Sequence, residues 1–155
     1  MGSGKTLVGA LVAQRSHAAF FDLDHLVEDM AGMSIAEVFA TSGEQAFRAL
    51  EQEALPRTLA SDTVVALGGG TAMNDDNWEL ISSRATTVYL EVPFEMLWAR
   101  IHTQHHRPLV SGRTEAQVRE LYDTRRARYE LAAHRVDGNR QAGEVADEVI
   151  KLWSA

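Results

Sequence analysis

Apolar positions recur with two different periods along the chain, and the switch between them predicts the elements. Leu7, Val8, Leu11 and Val12 fall on one helical face, so a helix is expected over 4–14. Ala18 to Phe21 is a run too short for a helix and ends in Asp22-Leu23-Asp24, which reads as a buried strand with a polar C-terminal edge. Ser34-Ile35-Ala36-Glu37 has capping-box form and opens a helix over 34–40; another follows over 43–55, where Pro56 ends or kinks it. Thr63 to Leu67 is again apolar and stops at Gly68-Gly69-Gly70, a strand running into a loop. Beyond it the pattern gives a helix over 77–83, a strand over 86–90, and a helix over 94–101 with Pro93 at its first turn. A polar loop over 104–112 precedes the longest helix, 114–132, opened by Thr114-x-x-Gln117. A strand over 135–137 and a helix over 143–153 finish the chain. Alternating strands and helices imply a single α/β domain whose parallel sheet is covered on both faces, with ligands at the C-terminal edge of the strands.

Composition narrows the class. The chain has 155 residues, enough for one domain with a core that needs no staples. It has no cysteine, which removes disulfides and thiolate metal sites and favours a reducing interior such as the cytoplasm. No apolar run approaches a membrane span, and the first residues lack the plan of a signal peptide. A net charge of -7 argues against a general nucleic-acid surface, so an anionic ligand must be met by local positive charge. The arginines clustered between Arg100 and Arg140 could supply it.

Candidate chemistry begins at Met1-Gly2-Ser3-Gly4-Lys5-Thr6. Gly-Lys-Thr at the start of a helix is the end of a phosphate-binding loop, in which backbone N–H groups and the helix N-terminus face phosphate oxygens. The leading Gly of the full pattern would lie two positions before Met1, so on its own the stretch reads equally as a flexible linker. Asp22 and Asp24, two apart on a strand end, point to one side; they suit Mg²⁺ and a substrate hydroxyl, or simply an acidic turn. Arg48 lies between Glu44 and Glu51, either as an exposed ion pair or as a guanidinium held by both and aimed at a ligand carboxylate. Three consecutive glycines cost backbone entropy and imply that something, preferably a ligand, approaches the backbone at Gly68 to Gly70. Arg125 falls on the stripe of Val118, Leu121, Tyr122 and Tyr129 and so points inward, where it either pairs internally or binds an anion. Arg107-Pro108-Leu109 lies in the polar loop, as a solvated arginine or as one that closes over a triphosphate. His102, His105 and His106 have no carboxylate or Cys at metal-ligand spacing and read as loop surface, while Trp78, Trp98, Trp153 and the methionines read as core.

In this order the motifs Met-Gly-Ser-Gly-Lys-Thr-x-Val-Gly, Phe-x-Asp-x-Asp, Gly-Glu-x-x-Phe-Arg-x-x-Glu, Gly-Gly-Gly, Arg-Pro-Leu and Arg-x-x-x-Tyr resemble shikimate kinase over nearly the whole chain. The resemblance implies a three-layer P-loop kinase fold, a five-stranded parallel sheet and a lid at about 103–113. It also implies ATP-dependent phosphorylation of the 3-hydroxyl of shikimate, giving shikimate 3-phosphate and ADP, with Mg²⁺. Gly2, Ser3, Gly4, Lys5 and Thr6 would then hold the β- and γ-phosphates, Thr6 would ligate Mg²⁺ and Asp22 would support it. Asp24 would contact the attacking hydroxyl, as base or as orienting group. Arg48, Gly68, Gly69, Gly70 and Arg125 would hold shikimate, the two arginines clamping its carboxylate. Arg107 would be the lid arginine, Arg100 would pack against adenine, and Arg140 would lie in the adenine-side loop Asp137-Gly138-Asn139-Arg140, where the family's following proline is missing. A monomer without nucleic-acid or membrane partners is the family expectation.

Departures from the family pattern are Leu7 in place of Thr or Ser, Ala10 in place of Arg, and, above all, the strand that should end at the leading Gly. The resemblance therefore carries the expectation that Met1 is an internal methionine preceded by about ten mostly apolar residues forming the central strand. A gluconate kinase of the same fold is the enzymatic alternative, and a non-catalytic nucleotide-binding homologue is the alternative from another class.

Overall fold

The structure, a computed structural model, describes residues 2–102 and 112–153. The elements run α1 (Lys5–Ser16), β1 (Ala19–Asp22), α2 (Leu23–Ala31), α3 (Ile35–Thr58), β2 (Thr63–Ala66), α4 (Asp75–Arg84), β3 (Val88–Glu91), α5 (Phe94–Ile101), α6 (Glu115–Tyr129), β4 (His134–Asp137) and α7 (Ala142–Trp153), the expected order with α2 added. No helix among the described residues is long and apolar enough to cross a membrane.

Two boundaries differ from the sequence reading, at Asp22 and at Pro56, each for a physical reason. Strand β1 ends at Asp22, whose carboxylate caps a helix the apolar pattern did not announce; Asp24 lies in the first turn of α2 and not on the strand. Within the span of α3 the two expected helices are present and meet at Gly43, whose φ 79°, ψ 175° breaks the helical geometry between them. The second then continues through Pro56 to Thr58, because a proline in the last turn loses one hydrogen bond while packing of the fully buried Ala54 and Leu55 holds the turn. Capping boxes form at Ser34 and Thr114, as expected.

The strands pair in parallel, β1 with β2 and β3 with β4. Helices α1 and α7 cover one face: Val8, Val12, Val145 and Ala146 pack with Leu90 of β3 and Val136 of β4, and Val64 of β2 joins them. A second core lies among α2, α3 and α4 around Leu23, Val27, Leu55 and Ile81. Truncating Leu23 or Leu55, both fully buried, would cost about 2–5 kcal/mol. The sequence reading overfilled the core: Trp153, Met33 and Met96 are exposed, and Trp78 and Trp98 are half-buried.

Among the described residues β2 and β3 are not paired to each other. Between them lies a cavity of about 460 Å³, walled by both strands, by Val8 and Val12 from α1, and by Tyr122 and Tyr129 from α6. Ser3 and Lys5 line it as well, so the cavity opens onto the glycine-rich loop.

Candidate active site

The glycine-rich loop meets α1 at Gly4, which sits in the left-handed region at φ 84°, ψ 15°, a conformation that favours glycine. Lys5 and Thr6 open the helix, and no acidic side chain occupies its first turn, so its positive end is available to an anion. The Thr6 hydroxyl donates to Asp22 Oδ2 at 2.6 Å, and Asp22 Oδ1 accepts the Asp24 N–H at 3.0 Å. One carboxylate thus joins the loop, the end of β1 and the start of α2. Arg100 of α5 reaches the loop from the other side, donating through Nη1 to the Gly2 carbonyl at 3.2 Å and through Nη2 to Asn139 Oδ1 at 3.3 Å. Arg140 instead turns to α7, pairing with Glu148 and donating to the Asp137 carbonyl at 3.2 Å. Arg107 and most of the expected lid lie outside the described residues.

A second group of polar side chains gathers where α3 and α6 approach the end of β2. Arg48 donates to Glu51 at 2.6 Å and to Glu44 at 3.0 Å, so both glutamates flanking it in sequence hold it. Burial pulls its pKa down, but the two carboxylates more than offset this and leave it above the ordinary arginine value. Glu51 is 1% exposed, and its other oxygen accepts the hydroxyl of the fully buried Thr71 at 2.5 Å. Asn77 in turn donates from Nδ2 to the Thr71 carbonyl at 3.2 Å. Arg125 is buried at 7% exposure, and its Nη1 atom has no hydrogen-bond partner among the described residues. A buried guanidinium nitrogen without an acceptor is costly unless an anion completes it.

The triple glycine is explained by this cluster. A Cβ at Gly68 would fall 2.6 Å from Asp24 Oδ1 and 2.9 Å from Glu51 Oε1; one at Gly70 would fall 2.7 Å from both terminal nitrogens of Arg48. The close approach inferred from the sequence is therefore made, at these two positions, by the chain's own charged side chains. The structure brings Asp24, Arg48 and Glu51 against the glycine loop, and Thr6 against Asp22. Sequence reasoning missed Thr71, Asn77 and the role of the Tyr129 hydroxyl, which donates to the Gly69 carbonyl. The only signal for Thr71 was its place directly after the glycines.

The family model for shikimate kinase matches residues 1–153. Similar curated proteins include the shikimate kinase of Symbiobacterium thermophilum, 41% identical over 138 residues that cover 86% of this chain and 79% of that one. The shikimate kinase of Caldanaerobacter subterraneus is 37% identical over 156 residues, 99% of this chain and 91% of that one. Among solved structures, shikimate kinase from Acinetobacter baumannii in complex with shikimate superimposes with a TM-score of 0.94 at 32% identity, covering 99% of this chain and 88% of that one. That from Aquifex aeolicus gives a TM-score of 0.89 at 32% identity, covering 99% and 92%.

Proposed function

This chain belongs to the shikimate kinase family and phosphorylates shikimate with ATP, and we propose the following division of labour among its residues. What supports it is a helix N-terminus that carries Lys5 and Thr6, suited to phosphate, together with two arginines suited to a carboxylate, the buried Arg125 and an Arg48 held by Glu44 and Glu51. Two guanidinium groups meet a carboxylate with charge-assisted, in-plane hydrogen bonds, which a polyol without that group would not need. Gluconate carries a carboxylate too, so it is the family match rather than the arginine pair that favours shikimate over it.

The amides of Gly2 to Thr6 and the Lys5 ammonium hold the β- and γ-phosphates, and Arg100 keeps the loop in place through the Gly2 carbonyl. Arg48, Arg125 and the Gly68 to Gly70 backbone hold shikimate. Asp24, beside Gly68, orients the attacking hydroxyl and receives its proton or passes it to solvent. The new O–P bond forms as the bond from the γ-phosphorus to the bridging oxygen breaks, and ADP leaves with that electron pair. Because little covalent work falls to the protein, rate comes from in-line positioning and charge neutralisation. Arg107 is the lid arginine in this reading, and Arg140 contributes to the adenine side through its loop.

Mg²⁺ fits the donor set at Thr6 and Asp22. A hydroxyl and a carboxylate oxygen are hard ligands, and no group of three or more His, Cys, Asp or Glu among the described residues forms a cage of its own. Two protein oxygens leave room for phosphate oxygens and water, as Mg²⁺ prefers; when bound, it neutralises charge on the β- and γ-phosphates.

The cavity between β2 and β3 further supports a fifth parallel strand leading into Gly2 as part of the working domain. Its walls are largely apolar, with two strand edges whose backbone groups need partners. A coupled ADP-release assay tests both ideas, with shikimate and with gluconate, on the chain alone and on the chain carrying an apolar strand sequence before Gly2. Shikimate-dependent turnover that rises with the added strand is expected. Turnover with gluconate alone would sink the substrate reading, and equal activity and melting temperature with and without the strand would sink the strand.

A further inference from the structure

The Gly68 to Gly70 loop is fixed from within at two of its three carbonyls. The Thr71 N–H donates to Gly68 O at 3.3 Å and the Met73 N–H to Gly70 O at 3.0 Å. The third, Gly69 O, accepts from the hydroxyl of Tyr129, sixty residues away at the end of α6. Tyr129 follows Arg125 by four residues, so both side chains leave the same face of α6. Burial raises the phenol pKa above its ordinary 10, with the Arg125 charge pulling the other way, so the hydroxyl stays a donor at any pH where a kinase works.

A trans peptide is planar, with its C=O and N–H antiparallel. Fixing Gly69 O on Tyr129 therefore also fixes the Gly70 N–H, directed away from α6. Without a Cβ at Gly69 or Gly70 the peptide could flip at little cost, and only an external tie prevents it. The end of α6 is anchored without the hydroxyl: Arg128 pairs with Asp75 and lies over the Trp78 ring at 5.8 Å, and the Tyr129 ring packs 5.5 Å from that of Tyr89. The hydroxyl is thus not needed to dock the helix.

We propose that Tyr129 is a positioning residue for the phosphate acceptor: its hydroxyl locks the Gly69–Gly70 peptide plane and so holds the glycine backbone in fixed relation to Arg125 on the same helix. This rests on the reading that these groups bind shikimate. The test is Tyr129→Phe, which removes one oxygen and keeps the ring. The expected result is a shikimate KM raised about fivefold, with the ATP KM within about twofold and the melting temperature lowered by no more than about 4 °C. Amide exchange at Gly69, Gly70 and Thr71 should quicken about tenfold in the variant, a readout that does not depend on turnover. An unchanged shikimate KM, or an ATP KM that rises as much, overturns the proposal, and so does unchanged exchange. If the parent protein shows no shikimate turnover while exchange still quickens, the tie stands and the substrate reading falls.

Discussion

A single methyl group at Gly70 separates a glycine required by the backbone from one required by its neighbour. Gly70 has φ -112° and ψ -10°, which other residues adopt, so Gly70→Ala introduces no backbone strain. Its Cβ would nevertheless lie 2.7 Å from Nη1 and Nη2 of Arg48 and 2.9 Å from Cζ, where ordinary contact begins near 3.4 Å. The guanidinium must retreat by most of an ångström. Glu51 at 2.6 Å and Glu44 at 3.0 Å define its present position, and Glu51, buried among Thr71 and the glycine loop, cannot follow. The Arg48 side chain is 26% exposed and can swing towards solvent, so the fold should lose less than the 1–3 kcal/mol usual for overpacking. What is lost is aim. Charge-assisted hydrogen bonds to a carboxylate are worth about 1.5–3 kcal/mol, so misdirecting Arg48 should raise the shikimate KM by roughly 10- to 100-fold. The ATP KM should stay within about twofold, and the melting temperature should fall by no more than about 4 °C. Steady-state kinetics with each substrate varied in turn, together with thermal melts, measure all three. A shikimate KM within twofold of the parent would refute the argument that Gly70 exists to seat Arg48.

Glu51→Gln replaces a buried carboxylate that accepts from both Arg48 and Thr71 with a group that must turn a donor towards one of them; we expect a loss of about 2 kcal/mol by chemical denaturation together with a raised shikimate KM. Thr6→Ala should raise the Mg²⁺ concentration for half-maximal turnover about tenfold or more, and Thr6→Ser, which keeps the hydroxyl bonded to Asp22, should restore it. The Ser34 side chain and backbone N–H hold the exposed Glu37 carboxyl below its ordinary value of 4.5, so its contribution to stability is present above that pH and disappears as pH falls through the lowered folded value. The melting-temperature deficit of Ser34→Ala should accordingly be largest near neutrality and shrink in acid; a deficit independent of pH would show that Glu37 plays no part.

How much the sequence revealed depended on the range of the interaction. Period and caps reach only a few residues, and they located nearly every element, including both capping boxes. They failed at α2, where Leu23 and Val27 are too few to show a helical period, and at Pro56, where tertiary packing overrides a local breaker. Charged pairs close in sequence were also legible: Glu44, Arg48 and Glu51 form the arrangement their spacing allowed. Contacts across the fold were not. Nothing local to Tyr129 reports a bond to Gly69, and nothing local to Thr71 reports burial against Glu51.

The glycine loop shows why such distant contacts matter most for function. Three glycines alone would be a floppy segment, unsuited to holding a substrate at near-attack distance. Here the missing side chains are replaced by groups from three other elements: Asp24 from α2, Arg48 and Glu51 from α3, and Tyr129 from α6. Each occupies space or fills a hydrogen bond that a non-glycine loop would have managed locally. The loop is therefore rigid only when those helices are docked, and substrate affinity becomes a reporter of tertiary packing. Two variants that act on opposite sides of the loop, Gly70→Ala at Arg48 and Tyr129→Phe at Gly69, should consequently not be additive in their effect on the shikimate KM, because one displaces the arginine seated on Gly70 and the other frees the peptide plane that joins Gly70 to Gly69. Strict additivity in a double-mutant cycle would mean that the arginine and the glycine backbone act independently, and the loop would then be a passive spacer.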